Sequence, residues 1–209
     1  MSDPLIRRAG PADAEALVRI GLDTFCETFE GIYSDRDLRA YLAEAYDLNR
    51  TRADLADPAK ASWLVEAGGE PIGYASVGAC ALPHAEVTQA CGELKRIYVL
   101  RAWQGSGLAQ RLLATTMAWL EREGPRTIWL GVWSENLKAQ RFYARHGFAK
   151  AGEYDFHVGA QIDLEYIFRR SAHVSSTPNA NSRIASDRFA PSPRRRRRSR
   201  CSGASYSGP

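Results

Sequence analysis

Cysteine is scarce in this 209-residue chain: Cys26, Cys80, Cys91 and Cys201 show no metal-ligand spacing and are too sparse for a disulfide scaffold. That usage fits a reducing compartment and points to a cytoplasmic protein. His84, His146, His157 and His173 share no ligand spacing either, so no metal is expected. No run approaches the roughly 18 apolar residues of a membrane span, which argues against a membrane partner. Residues 1–9 have no apolar run behind their arginines and do not read as a secretory signal. No internal repeat is evident.

What is present is enough apolar material for a core, 44% of residues with five tryptophans among them. The positive charge is unevenly placed. Residues 171–209 hold eight Arg and one Asp, a surplus of seven, so the whole-chain +4 leaves −3 for residues 1–170. The chain therefore divides into a mildly acidic folded domain, 1–170, and an Arg-, Ser- and Pro-rich tail, 171–209, whose composition reads as disordered. The run from Arg194 to Arg198 is the one segment that could touch nucleic acid. A solvated extension, or an altered C-terminus, accounts for it more simply.

Along the chain, residues 5–9 read as a strand, and Asp13 as an acceptor for free amides at a helix start. Ala14, Leu17, Val18, Ile20, Gly21, Phe25 and Phe29 then repeat at helical spacing. Further helices are expected over 35–46 and 49–58. Residues 61–67 and 71–81 form a hairpin about Gly68-Gly69-Glu70, and 92–100 the next strand. A helix over 108–123 leads to a strand over 126–133, too uniformly apolar to have a wet face. Residues 134–146 form a helix stopped by Gly147, and strands over 148–156 and 161–168 close a mixed α/β sheet of about seven strands.

The chain is organised around Gln104-Gly105-Ser106-Gly107-Leu108-Ala109, between a strand and a helix. Two glycines permit unusual backbone angles and close ligand approach, and the first amides of a helix lack internal partners, so an anion fits there. The turn matches neither nucleotide fingerprint: Leu108-Ala109 stands where a P-loop has Lys and Ser or Thr, and a third Rossmann glycine is missing.

Together with Glu93-Leu94-Lys95-Arg96-Ile97-Tyr98-Val99 and the run Asn136-Leu137-Lys138-Ala139-Gln140-Arg141-Phe142-Tyr143-Ala144-Arg145-His146-Gly147-Phe148, this turn resembles the signature of the Gcn5-related N-acetyltransferases. The turn is similar to their (Gln/Arg)-x-x-Gly-x-(Gly/Ala) pyrophosphate loop, and the later run to their Asn-x-x-Ala-x-x-Phe-Tyr segment. Within the family, Thr24-Phe25-Cys26-Glu27-Thr28-Phe29, Trp129-Leu130-Gly131-Val132-Trp133 and residues 155–163 resemble the PaiA-like polyamine N-acetyltransferase branch. Tyr154 and a shortened stretch before Gln161 depart from that branch.

The resemblance implies a mostly antiparallel α/β sheet with a central splay, flanked by helices, and acetyl-CoA as co-substrate in a direct transfer that needs no cysteine. It implies that Ile97, Tyr98 and Val99 pair with the pantetheine arm through their backbone. Gln104, Gly105, Ser106, Gly107, Leu108 and Ala109 would hold the pyrophosphate, with the Leu108 side chain assigned to the core. Asn136 would cap its helix, bind the cofactor arm, or do both. Tyr143 is the candidate general acid for the leaving thiolate, and Glu93 a candidate acceptor of the amine proton, through water.

The acceptor expected is a small amine, a polyamine such as spermidine or spermine, with Glu27, Glu30, Tyr33 and Asp35 as contacts for its cations. A protein N-terminal or amino-acid acetyltransferase, or a non-catalytic CoA-binding regulator, is the alternative. The oligomeric state is left open, a homodimer being one option.

Overall fold

The computed structural model describes residues 3–29 and 31–172. Of the expected tail, only Ser171 and Ala172 fall within the described residues. In chain order the elements are β1 (Leu5–Arg8), α1 (Ala14–Phe29), α2 (Asp35–Ala45), α3 (Leu48–Ala56), β2 (Ala61–Ala67) and β3 (Glu70–Ala79). Then follow β4 (Gly92–Val99), α4 (Leu108–Leu120), β5 (Ile128–Trp133), α5 (Leu137–Arg145), β6 (Ala149–Val158) and β7 (Gln161–Arg170). The seven strands form one sheet in the order β1-β2-β3-β4-β5-β7-β6. Every pairing is antiparallel except β4 with β5, which is the mixed, mostly antiparallel sheet expected.

That parallel pairing is brief. Gly92 opposes Ile128 and Glu93 opposes Trp129, and no further residues pair. From Leu94 onward β4 is bonded only to β3, while β5 continues beside β7 to Trp133. The sheet opens between its two central strands, leaving β4 backbone donors and acceptors on that side for another partner.

Strand alternation distributes the core over both faces. Trp63, Val65, Ala75, Val77, Leu94, Ile128 and Leu130 pack with Leu112, Leu113 and Met117 of α4 and with Tyr143 of α5. On the opposite face Leu64 and Tyr74 meet Leu17, Ile20, Phe25 and Phe29 of α1. Helices thus cover both sides, and β5 is largely buried, as its composition requires.

The helix starts follow cap chemistry. The Ser34 and Asp47 side chains accept from the Asp37 and Arg50 amides, opening α2 and α3. Asp13 caps the start of the first helix as expected, from the third residue of a short turn, Pro11–Asp13, that runs into α1. Its carboxylate turns back to the Gly10 amide at 2.8 Å and takes the Arg7 guanidinium at 2.7 and 3.0 Å. The charge-assisted bond to Arg7 adds to this cap and, with the Gly10 amide, holds the Asp13 carboxyl below its usual range. The expected helix before Pro58 ends two residues early, at Ala56, with Asp57 extended as its last cap.

Candidate functional site

At the open end of the β4–β5 gap, a short turn over Arg101–Trp103 leads into the glycine loop. Gly105 and Gly107 have φ of 85° and 84°, a left-handed region that costs a side-chain-bearing residue about 1–2 kcal/mol. Gly107 is the cap of α4 and provides no side-chain hydrogen bond to it. The first intrahelical bond there runs from the Arg111 amide to the Gly107 carbonyl at 3.1 Å. The amides of Leu108, Ala109 and Gln110 are thereby left at the positive end of a 13-residue helix.

Gln104 ties the loop at both sides. Its amide nitrogen donates to the Val99 carbonyl at 3.4 Å, and its oxygen accepts from Lys138 Nζ at 2.6 Å. Lys138 therefore stands beside the loop as a cation that the sequence reading gave no role, although it lies two residues past Asn136. Ser106 is exposed, with its hydroxyl on the Trp103 carbonyl at 2.6 Å. Leu108 is buried in the core at 2% exposure, so only its amide is available to a ligand.

The gap itself is a cavity of about 620 Å³, lined by Ile97, Tyr98 and Val99 of β4, by Gln104, Gly105, Gly107 and Ala109 of the loop, and by Asn136 and Tyr143. Asn136 is the cap of α5: its Oδ1 accepts from the Ala139 amide at 3.0 Å, which leaves its Nδ2 donors for a ligand. Tyr143 is 8% exposed and packs edge-on to Phe142 and Phe148, with ring centroids 5.3 and 5.9 Å away. Burial, and then the charge of Glu165, raise its phenol well above the ordinary value, so the hydroxyl stays protonated.

A second cavity, of about 330 Å³, lies on the α1 face of the sheet, and Tyr98 and Trp133 line both. Glu93 reaches this second cavity, where its Oε2 accepts from the Ala81 amide at 2.8 Å and from Lys95 Nζ at 3.0 Å. Tyr33 also lines it and donates its hydroxyl to Asp163. Glu27 and Asp35 do not. The Glu27 carboxylate accepts the Arg101 amide at 2.7 Å on the side of the larger cavity, and Asp35 is exposed in the first turn of α2. Glu30 lies outside the described residues.

Two carboxylates that the sequence reading missed take their place. Glu165 Oε2 accepts from the Tyr154 hydroxyl at 2.5 Å, and Asp163 stands two residues before it on β7. Burial pushes the Glu165 carboxyl up; the Tyr154 hydrogen bond opposes this, while the charges of Asp163 and Glu93 add to it. Room for the pair comes from Gly131, since a Cβ there would lie 2.6 Å from Glu165 Oε2 and 2.9 Å from the Tyr154 hydroxyl. The signal for Asp163 and Glu165 was an inverted alternation. Ile162 and Leu164 are 57% and 39% exposed, while Asp163 and Glu165, which alternate with them, face the cavity.

Among the described residues no three His, Cys, Asp or Glu gather as a metal site, and no helix is long and apolar enough to cross a membrane.

Comparison with known proteins agrees with this fold. Residues 22–148 match the model of the Acetyltransferase (GNAT) family. The chain is 24% identical to an uncharacterized N-acetyltransferase of Lactobacillus delbrueckii subsp. lactis over 171 residues, covering 82% of this chain and 99% of that one. It is 32% identical to an aminoglycoside N(6')-acetyltransferase type 1 of Stenotrophomonas maltophilia over 152 residues, 70% of this chain and 87% of that one. Among solved structures, the PaiA N-acetyltransferase of Thermoplasma acidophilum in complex with coenzyme A superimposes with a TM-score of 0.65 at 18% identity. The match covers 81% of this chain and 99% of that one.

Proposed function

The chain belongs to the acetyltransferase (GNAT) family, and we propose that it transfers acetyl from acetyl-CoA directly to the amine of a small acceptor. One observation carries this reading: a cavity with a glycine loop and free helix amides meets a cavity with two carboxylates at Tyr98 and Trp133, where β4 and β5 part. Donor and acceptor would enter from opposite faces of the sheet and meet in its opening.

In this reading the glycine loop and the free amides of Leu108, Ala109 and Gln110, with Lys138 beside them, hold the pyrophosphate. The unpaired side of β4 at Ile97–Val99 receives the pantetheine arm. The neutral amine attacks the thioester carbonyl, the C–S bond breaks as the C–N bond forms, and the thiolate takes the Tyr143 proton. The amine proton passes to a carboxylate of the smaller cavity. Glu93 was the candidate for that step, but its carboxylate is held by the Ala81 amide and Lys95, whereas Glu165 has a single phenolic donor.

Two acceptor classes divide on the ends of the smaller cavity. Resemblance to the PaiA-like branch supports a polyamine, and so do Asp163 and Glu165 beside the aromatic faces of Phe29, Tyr41, Trp133 and Phe156. An amino-acid acceptor is favoured by Arg96 at the other end. Thiol release from acetyl-CoA, followed with a panel of amines, amino acids and short peptides, tests the shared reading. Turnover with small amines is expected, and failure to bind acetyl-CoA in calorimetry would overturn it.

A further inference from the structure

The floor of the smaller cavity carries a row of polar side chains across three strands. Ser62 of β2 opposes Ser76 of β3, Ser76 opposes Arg96 of β4, and all three line the cavity. The Arg96 guanidinium lies over the Tyr46 ring, 4.6 Å from its centroid. The lysines that share the cavity are neutralised, Lys60 by Asp54 at 2.5 Å and Lys95 by Glu93 at 3.0 Å. Among the described residues, no carboxylate oxygen lies within 4.0 Å of Arg96.

Burial works against the Arg96 charge, but Tyr74, Tyr46, Tyr41 and Tyr98 around it hold its pKa above the ordinary value, so it stays a cation with no carboxylate beside it and can take a bound anion. Its planar fork of donors matches a carboxylate in bidentate geometry, and the two serine hydroxyls beside it are further donors. At the far end Asp163 and Glu165, with Tyr33 and Tyr154, present the opposite charge. The cavity is dipolar, cationic at its floor and anionic beside Trp133. A polyamine extending through it would bring one ammonium against Arg96, a like-charge contact that penalises binding.

We infer that the acceptor carries a carboxylate as well as the amine to be acetylated, an amino acid or a close relative of one. Arg96, with Ser62 and Ser76, binds its carboxylate, while the amine is directed to the Asp163 and Glu165 end. This rests on the smaller cavity being the acceptor site of an acetyltransferase, and the experiment separates the two claims. Initial rates of thiol release at saturating acetyl-CoA are compared for pairs that differ only in the carboxylate, L-lysine with cadaverine and L-phenylalanine with phenethylamine. Spermidine serves as a third arm. The carboxylate-bearing member of a pair is expected to have the higher kcat/KM by about 10-fold or more, equivalent to about 1.4 kcal/mol. In Arg96→Met that ratio falls towards one, and in Arg96→Lys it recovers in part, which a merely misfolded variant would not do. Equal or better use of the diamine, phenethylamine or spermidine by the unaltered protein overturns the anion site and leaves acetyl transfer standing. Absence of acetyl-CoA binding overturns both.

Discussion

Glu93 and Trp129 are the last residues to oppose each other across the parallel β4–β5 ladder. On the far side of this pair the sheet separates, and the separation is what makes a site. One lost ladder frees β4 backbone for a ligand and lets cavities on opposite faces share Tyr98 and Trp133 as a common wall. Both core layers continue past the gap, so the opening is held by packing on each side.

Tyr143→Phe keeps the ring that packs on Phe142 and Phe148 and removes only the hydroxyl. Since a positioned general acid contributes about 10²–10⁴-fold, kcat is expected to fall by at least about 10² with acetyl-CoA affinity unchanged. Steady-state rates paired with calorimetry check this. An undiminished kcat would remove Tyr143 from the chemistry. Its raised phenol also means that no loss of activity from tyrosine ionisation is expected as pH rises to about 10, the ordinary tyrosine value.

Asn136 is a cap whose other half is free, and two substitutions separate the roles. Asn136→Asp retains an oxygen for the Ala139 amide but loses both amide donors, so the melting temperature should hold while KM for acetyl-CoA rises. Asn136→Ala loses the cap as well, at about 1 kcal/mol. If the two variants bind acetyl-CoA as tightly as the unaltered chain, Asn136 is a cap alone.

What could be read from sequence followed from local rules. The glycine loop was visible because two left-handed turns before a helix demand glycine, and the cap at Asn136 because the amide that donates to it lies three residues ahead. The acceptor cavity was not, since its contacts join distant parts of the chain: Tyr33 meets Asp163 across 130 positions. Charge near the first helix drew the reading to Glu27, whose carboxylate is in fact spent on the Arg101 amide. Asp163 and Glu165 were passed over because residues 161–168 were read only as a strand, with no face assigned, whereas Ile162 and Leu164 face out.

Gly131→Ala tests the division of labour between the cavities. Its Cβ would meet Glu165 Oε2 at 2.6 Å and the Tyr154 hydroxyl at 2.9 Å, an overpacking that typically costs about 1–3 kcal/mol. Both groups belong to the smaller cavity, so KM for the amine should rise by about 10-fold or more while acetyl-CoA binding is retained. Equal damage to both affinities would show that the cavities are coupled through β5.

Glu165 gives the pH dependence a sign. Burial raises its carboxyl above the ordinary value, so its charged form appears only as pH climbs through that raised pKa. If this carboxylate receives the amine proton, kcat/KM rises along an acid limb displaced above pH 4.5, and Glu165→Gln removes the limb and lowers the plateau. Stability runs the other way. A raised folded-state pKa contributes stability that is present below the unfolded value and lost as pH rises through the folded one. The Gln variant does not titrate, so its melting temperature should gain on that of the unaltered chain as pH rises above the ordinary carboxylate range. Finding the stability trend without the kinetic limb would make Glu165 a buried charge with no part in proton transfer. Finding both means that the same desolvation that weakens the fold at neutral pH supplies the basicity the reaction needs.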